Sequence, residues 1–373
     1  MKEKQTVFPS GTVAPECVSN EDELDHECTS WILFGDVTGL NATFLHKSRD
    51  SKVRLVSVVR SKPGAARQWL GLGDSGLPCM GMNRSGLAGV MNSGEPCIDC
   101  STDPSKKTTP AILALILGSC DTAAQAVAKL KKTLRAGDYW HREKGSIFLF
   151  ADTKEAFICE LTAKTITVQE VDHGYAYRAN IWHNQGMARF SVCPLSRFLD
   201  SCGREAVVRT ALDTALNERG RITREDSLAL ARCSAMPKGS PLERSVCYKR
   251  TNSAADLVID KEFPGTLSTV YVLIGPPRHT IYLPLPVCMK DLDPRITETV
   301  FSSAARERFD RLGYNAPIPR KWTAFEKDAL LRYDLASEKA LKLLRKGKNA
   351  EAEELLNRTA SEICTQAAEL LGV

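Results

Sequence analysis

The feature that most constrains the fold is an interleaving of two periodicities. Strand-like runs occupy residues 31–34, 42–45 and 53–59, and a helix pair follows near residues 109–134. Further strand-like runs lie at 146–151, 156–161, 165–171 and 175–181. Helical segments are expected at 195–216, 224–233 and 293–311, with two more strands at 267–274 and 280–285. Strands in blocks separated by blocks of helix, rather than strictly alternating, predict an α+β arrangement of sheets covered by helical layers. The turns agree. Residues 35–41 and Asp152-Thr153-Lys154-Glu155 are built of turn formers, so each reads as the bend of a hairpin. Thr109-Pro110 opens a helix with proline in its first turn, and Asp121 is placed to cap the next. Residues 71–86 are glycine-dense, and a loop is expected over about 60–80.

Both ends of the chain differ in character. Residues 1–27 show no periodicity and end in an acidic cluster of Glu21, Asp22, Glu23, Asp25 and Glu27, which predicts a leader. Beyond Trp322, leucines at helical spacing on either side of Gly347-Lys348-Asn349 predict a C-terminal helical hairpin. One such unit cannot form a solenoid and must pack on the main domain or a partner subunit. The expected division is therefore a leader over 1–27, a main domain over 28–315 and a helical extension over 316–373.

Charge narrows the function classes. The net charge of +5 arises from interleaved acids and bases without a basic block, which argues against nucleic acid as a partner. No apolar run approaches the roughly 18 residues of a membrane span, and the N-terminus lacks the layout of a secretory signal. The expectation is a cytoplasmic protein, or an exported one whose signal has been removed. Thirteen cysteines are scattered mostly among apolar neighbours, where a thiol serves as a small core group. Cys97-Ile-Asp-Cys100 has no second pair at zinc spacing and reads as a loop thiol pair.

Cys28 stands apart because it lies where the acidic leader meets the first strand. Were the chain cut before it, one residue would supply both a thiol nucleophile and an α-amine. That amine has an ordinary pKa of about 7.7–8.0, near that of a working base. His46-Lys47-Ser48-Arg49-Asp50, on the strand expected to pair with that of Cys28, offers an acceptor for the amine and a cation for the thiolate. By strand alternation Ser48 and Asp50 share one face, and Lys47 and Arg49 the other. His183 is the alternative partner for a Cys–His pair, with a structural role the more ordinary assignment, and Glu160, within a strand, is either a site residue or an edge charge.

Taken in order, Cys28-Thr29-Ser30, a hairpin, His46 to Ser51, Gly81-Met82-Asn83-Arg84-Ser85-Gly86-Leu87-Ala88 and Met91-Asn92 resemble the N-terminal-nucleophile (Ntn) hydrolases. The branch most resembled is the acyl-coenzyme A:6-aminopenicillanic acid acyltransferase (isopenicillin N acyltransferase-like) family. Choloylglycine hydrolases and penicillin V acylases are more distant. Residues 145–152, Tyr177-Arg178-Ala179-Asn180 and Ser196-Arg197-Phe198 extend the resemblance, which spans about residues 28–290. It implies a four-layer αββα sandwich, here with the C-terminal helical hairpin added. It implies Cys28 as nucleophile and, through its amine, base, with Asp50 holding that amine. Asn92 and Asn180 would supply the oxyanion hole and amine contacts, and Lys47 and Arg197 the cations near the nucleophile. Lys47 stands where relatives often carry arginine, and Glu27 where glycine often precedes the nucleophile.

The function implied is hydrolysis or acyl transfer on a linear amide or thioester after self-removal of residues 1–27. The partner is then a small-molecule amide or acyl thioester. Neither metal nor organic cofactor is expected, and neither nucleic acid nor membrane, while a homo-oligomer is compatible. Two other readings stand beside it: a secernin-like cysteine dipeptidase, and a non-catalytic αββα scaffold binding a partner through its terminal helices.

Overall fold

The computed structural model describes residues 27–62, 64–101, 103–141, 143–235 and 245–373. The expected leader, apart from Glu27, lies outside the described residues, as does Cys17. The first half of the chain runs β1 (Cys28–Leu33), α1 (Gly35–Thr38), β2 (Ala42–Asp50), β3 (Ser57–Arg60), β4 (Trp69–Asp74), β5 (Leu77–Asn83), β6 (Ala88–Pro96), α2 (Thr109–Leu117) and α3 (Ala123–Arg135). Strands β7 (Lys144–Ala151), β8 (Ala156–Leu161), β9 (Ile166–Val171) and β10 (Tyr175–Arg178) follow. Next come α4 (Gln185–Ala188), α5 (Leu195–Arg219), α6 (Arg224–Ala231), β11 (Thr251–Asp260), α7 (Pro264–Leu267), β12 (Thr269–Ile274) and β13 (Tyr282–Pro286). Helices α8 (Pro294–Thr297), α9 (Val300–Leu312), α10 (Arg320–Leu344) and α11 (Asn349–Leu371) close the described chain.

The strands form two antiparallel sheets. One has the order β10-β1-β2-β11-β12-β13 and the other β3-β4-β5-β6-β7-β8-β9. They face each other, with β1 and β2 lying against β6 and β12 against β4. Helices α2 and α3 cover the outer face of the seven-stranded sheet around Leu113, Ile116, Leu130, Phe148 and Phe150. Helices α5, α6, α9, α10 and α11 cover the six-stranded sheet on the other side. The molecule is thus an α+β, four-layer αββα sandwich with a C-terminal helical hairpin, the architecture expected from the sequence.

Several elements differ from expectation for identifiable reasons. The glycine-dense stretch holds β4 and β5 rather than loop. A Cβ on Gly71 would sit 2.3 Å from the Met80 carbonyl oxygen, and one on Gly73 1.9 Å from that of Leu77, so glycine permits a close strand approach there. The run expected over 53–59 is ordered as strand only from Ser57. Strand β11 was not anticipated, yet it is central, pairing β2 on one side and β12 on the other. Its Thr-Asn-Ser-Ala-Ala-Asp opening lacks the branched apolar residues that mark a strand. Thr122, not Asp121, caps α3 by accepting from the Gln125 N–H. The helix expected over 293–311 is two, α8 and α9, separated where Thr299 takes a left-handed φ of 66°.

The terminal hairpin is built onto the six-stranded sheet by a polar seam as well as by its apolar face. Buried Glu326 of α10 pairs with Arg232 at 2.6 Å, and the Tyr333 hydroxyl meets that of Thr269 at 3.0 Å. Among the described residues no helix is long and apolar enough to cross a membrane.

Candidate functional site

The site forms where β1 begins. In the antiparallel register Cys28 lies opposite Arg49 and Ser30 opposite Lys47, so these four side chains share the face turned toward the second sheet. Thr29, Ser48 and Asp50 take the other face, toward the helices. The cysteine peptide therefore sits at a boundary between two polar layers, one on each side of the sheet.

On the inter-sheet side, Lys47 reaches across to β6. Its Nζ donates to the Met91 carbonyl at 2.5 Å and to Asn92 Oδ1 at 2.9 Å, and it is fully buried. The Ser30 hydroxyl donates to the same Oδ1 at 2.9 Å. Arg49 pairs with Asp74 at 2.6 Å and lies within electrostatic reach of the Cys28 and Cys79 thiols. Burial pushes the Cys79 thiol above its ordinary pKa.

The loop after β10 delivers Asn180 to the Cys28 backbone. Cys28 N–H donates to Asn180 Oδ1 at 2.8 Å, while Asn180 Nδ2 donates to the Ser93 carbonyl at 2.7 Å, which fixes the orientation of the amide. Glu160 on β8 holds the loop by accepting from Arg178 Nε and from the His183 and Asn184 N–H groups, each at 2.9 Å. Glu205 completes the clamp, accepting from the Ala179 N–H at 2.8 Å and facing His183 Nε2 at 2.9 Å. His183 thus belongs to the scaffold that presents Asn180.

Helix α5 closes the other side. Arg197, Asp200 and Arg204 fall at i, i+3 and i+7, one face of a helix, and all are buried. Arg204 donates to the Cys28 carbonyl at 2.6 Å, to Thr29 Oγ1 at 3.0 Å, to Glu27 Oε2 and Asn180 Oδ1 at 2.9 Å, and to Asp200 Oδ2 at 3.2 Å. Burial opposes its charge, yet Asp200 and Glu27 outweigh that and hold its pKa above the ordinary value. Arg197 Nη1 lies 2.8 Å from Glu27 Oε1, and its Nη2 donates to the Gly94 carbonyl at 3.0 Å. Glu27, the residue that departs from the expected glycine, has no solvent exposure and sits between two guanidinium groups.

The Glu27–Cys28 peptide is thereby held at every polar atom. Its carbonyl accepts the Asp50 backbone N–H at 2.8 Å, and its N–H is on Asn180. The Asp50 carboxyl lies on the helical side with Thr251 and Arg204. Burial, set against the pull of Arg204 and the Thr251 hydroxyl and reinforced by Glu27 and Asp200, raises its pKa to about 8. It is therefore chiefly protonated at neutral pH in this uncut chain.

Of the residues singled out in the sequence, Asp50, Asn180 and Arg197 contact Glu27 or Cys28 directly, while Lys47 and Asn92 bond to each other beside Ser30, a division of labour that differs from expectation. Asn180, not the Asp50 carboxyl, accepts from the cysteine nitrogen, and Asp50 contributes its backbone N–H. The Asn92 Nδ2, expected at the oxyanion, is spent on the Arg178 and Ala179 carbonyls at 3.2 and 3.0 Å. Its geometry makes it the anchor of Lys47 and Ser30. Sequence reasoning missed Arg204, Asp200, Glu205 and the inward aim of Glu27. The signal was present in the charged i, i+3, i+7 stripe of α5, on the face that would otherwise be apolar.

No family model matches the chain, and no curated protein matches its sequence. Solved structures that resemble it include a conjugated bile acid hydrolase from Clostridium perfringens, at 13% identity over 71% of this chain and 94% of that one, with TM-scores of 0.45 and 0.47 for two variants. Penicillin V acylase from Agrobacterium tumefaciens is similar at 13% identity, over 69% of this chain and 86% of its own, with a TM-score of 0.45. The Caenorhabditis elegans N-acylethanolamine-hydrolyzing acid amidase ortholog is similar at 12% identity, over 64% and 93%, with a TM-score of 0.40.

Proposed function

We propose that this chain is a cysteine Ntn amidase that releases its own leader before Cys28 and then acts on linear amides through an acyl-enzyme on the Cys28 thiol. The observation that carries this reading is the clamp on the Glu27–Cys28 peptide. Asp50 N–H is on the carbonyl that would be attacked, and Asn180 is on the nitrogen that would leave. In self-cleavage the Cys28 sulfur adds to the Glu27 carbonyl carbon, and the C–N bond breaks with the proton passing to nitrogen. A thioester remains, which water hydrolyses, freeing Glu27 as a carboxylate and Cys28 as an N-terminal residue.

In the mature chain the α-amine keeps Asn180 as its acceptor and takes the thiol proton as sulfur attacks a substrate amide. The Asp50 N–H, relieved of Glu27, stands where the oxyanion of that attack develops. Arg204 holds the Cys28 carbonyl and Asn180 in register. Lys47, anchored by Asn92, and Arg49 stand on the thiol side of the peptide. The amine protonates the departing nitrogen, and water then releases the acyl group; an amine acceptor in place of water would give acyl transfer.

Intact mass and N-terminal sequencing of the purified protein test the first half: the expected mature N-terminus is Cys28, and an active protein that retains Glu27 overturns self-cleavage. Alkylation by iodoacetamide tests the second. Cys28 is expected to react faster than the other thiols, with loss of amide hydrolysis in step, whereas activity surviving Cys28 alkylation overturns the nucleophile.

A further inference from the structure

On the reading just given, in which residue 27 is the acyl group of the chain's first reaction, we propose that the pocket holding the Glu27 side chain is the acyl-side specificity site of the mature enzyme. It would select amides whose acyl group carries a carboxylate, of the α-glutamyl or glutaryl type.

The position of the pocket is set by chemistry. The Glu27 carbonyl is the one Cys28 would attack, so whatever lies beside it occupies the place a substrate's acyl chain takes in every later turnover. What lies beside it is a fully buried carboxylate between Arg197 Nη1 at 2.8 Å and Arg204 Nη2 at 2.9 Å. Three carbons separate that carboxylate from the reacting carbonyl, the spacing of a five-carbon dicarboxylic acyl group. The two arginines stand seven residues apart on α5, with their side chains already ordered by Gly94, Asp200, Thr29 and the Cys28 carbonyl. The geometry is thus present before any substrate arrives.

Loss of the leader would remove Glu27 from two buried guanidinium groups, while Arg204 keeps its ion pair with Asp200. Taking a carboxylate away from a buried cation is costly, and an apolar acyl chain in the same place would not replace it. An acyl carboxylate restores the pair. The glutamate before the nucleophile is then a built-in first substrate, which accounts for the absence of glycine at that position.

The test uses the matured full chain and a matched set of 7-amino-4-methylcoumarin amides: glutaryl, α-glutamyl, and the neutral pentanoyl group of equal carbon count. The expected kcat/KM for the acidic amides exceeds that for pentanoyl by about 100-fold or more, the discrimination of a site that would otherwise bury an unpaired group. In Arg197→Met the glutaryl-to-pentanoyl ratio is expected to collapse toward unity. A second measurement is independent of turnover and of that variant's folding: free glutarate, and not pentanoate, should slow alkylation of wild-type Cys28. Equal kcat/KM for glutaryl and pentanoyl amides overturns the pocket while leaving the amidase standing. Glutarate protection in a preparation that cleaves none of the amides retains the pocket and overturns the amidase. Absence of discrimination in both assays overturns the inference.

Discussion

Strand β2 carries two buried polar clusters on one face, and they are balanced in different ways. The first centres on Asp256 of β11. It accepts from His46 at 2.8 Å, from the Ser227 hydroxyl at 2.6 Å and from the Tyr282 hydroxyl at 2.5 Å. His46 reaches the Ser48 hydroxyl with its other nitrogen at 3.1 Å and stacks on Trp31 at 3.6 Å, and Trp31 Nε1 donates to Ser227 at 3.0 Å. Burial pushes His46 below its ordinary pKa, and the three donors hold Asp256 below its own in spite of burial. The second cluster lies at Asp50, two residues beyond Ser48. There burial raises a carboxyl to about 8, and a glutamate that the reaction would remove neutralises two arginines.

Ser48, His46 and Asp256 have the residue types and the order of a hydrolytic triad. Residue type does not separate the two clusters; satisfaction does. The Asp256 cluster is closed on itself and joins β1, β2, β11, β13 and α6, as a structural tie should. The Glu27–Arg197–Arg204–Asp50 cluster leaves Glu27 Oε1 ion-paired with Arg197 but without a hydrogen bond, and on the proposed reading it would lose Glu27 altogether.

That contrast can be broken experimentally, and the sharpest lever is Cys28. Cys28→Ala is expected to retain residue 27 and to lower amide hydrolysis by about a thousandfold or more, the scale of losing a covalent nucleophile. Its denaturant midpoint should not fall below that of wild type, since it keeps Glu27 on the two arginines, and hydrolysis rates with intact mass and urea unfolding check these outcomes. Asp256→Ala should do the reverse and act on the fold. It leaves His46, Ser227 and Tyr282 without their shared acceptor, at a cost of about 3–5 kcal/mol in urea unfolding. A stable Asp256→Ala protein with abolished turnover would reverse the roles assigned to the two clusters.

The pH dependence of stability separates them further. In the Cys28→Ala background, Asp50 binds a proton in the folded chain that it has released in the unfolded one, between its ordinary 3.8 and about 8. Its contribution to stability is therefore fully present below that ordinary value and is lost as pH rises through about 8. Between about pH 5 and pH 9 the loss should be on the order of 2–4 kcal/mol, and Asp50→Asn in the same background should flatten the profile by that amount. An unchanged profile would show that the Asp50 carboxyl is ionised when folded. The smallest effect is expected at Ser48→Ala, which removes one buried hydrogen bond for about 1 kcal/mol and leaves hydrolysis unaltered. A large activity loss there would make the His46 cluster a participant.

Much of the layering was legible because it rests on local periodicity. Amphipathic spacing in α3, α10 and α11, and turn chemistry at 35–41 and 152–155, depend on near neighbours in sequence. The failures share one cause. Strands β4 and β5 contain glycines that only a closely approaching partner strand explains, and β11 is polar where it lines Asp50 and His46. Such residues look like loop until the partner is in place. At the site, Cys28, Lys47, Asp50, Asn92, Asn180 and Arg197 stood out because each falls within an ordered set of motifs. Arg204 stood out in nothing but its helical phase.

By itself, then, the sequence determined the elements that local patterning specifies, the layered α+β arrangement, and a cysteine at the start of the first strand. Tertiary structure alone decided what each polar group does. Strand register put Cys28 opposite Arg49 and Ser30 opposite Lys47. The Glu160–Glu205 clamp set Asn180 on the cysteine nitrogen. The two α5 arginines took up Glu27, which stands between them as a fully buried, ion-paired carboxylate. The physical reason is range. Hydrophobic period is written within a few residues, whereas the partner of a buried charge lies 177 positions away for Arg204 and Glu27 and 210 for Asp256 and His46, and its identity depends on which faces the folded sheets bring together.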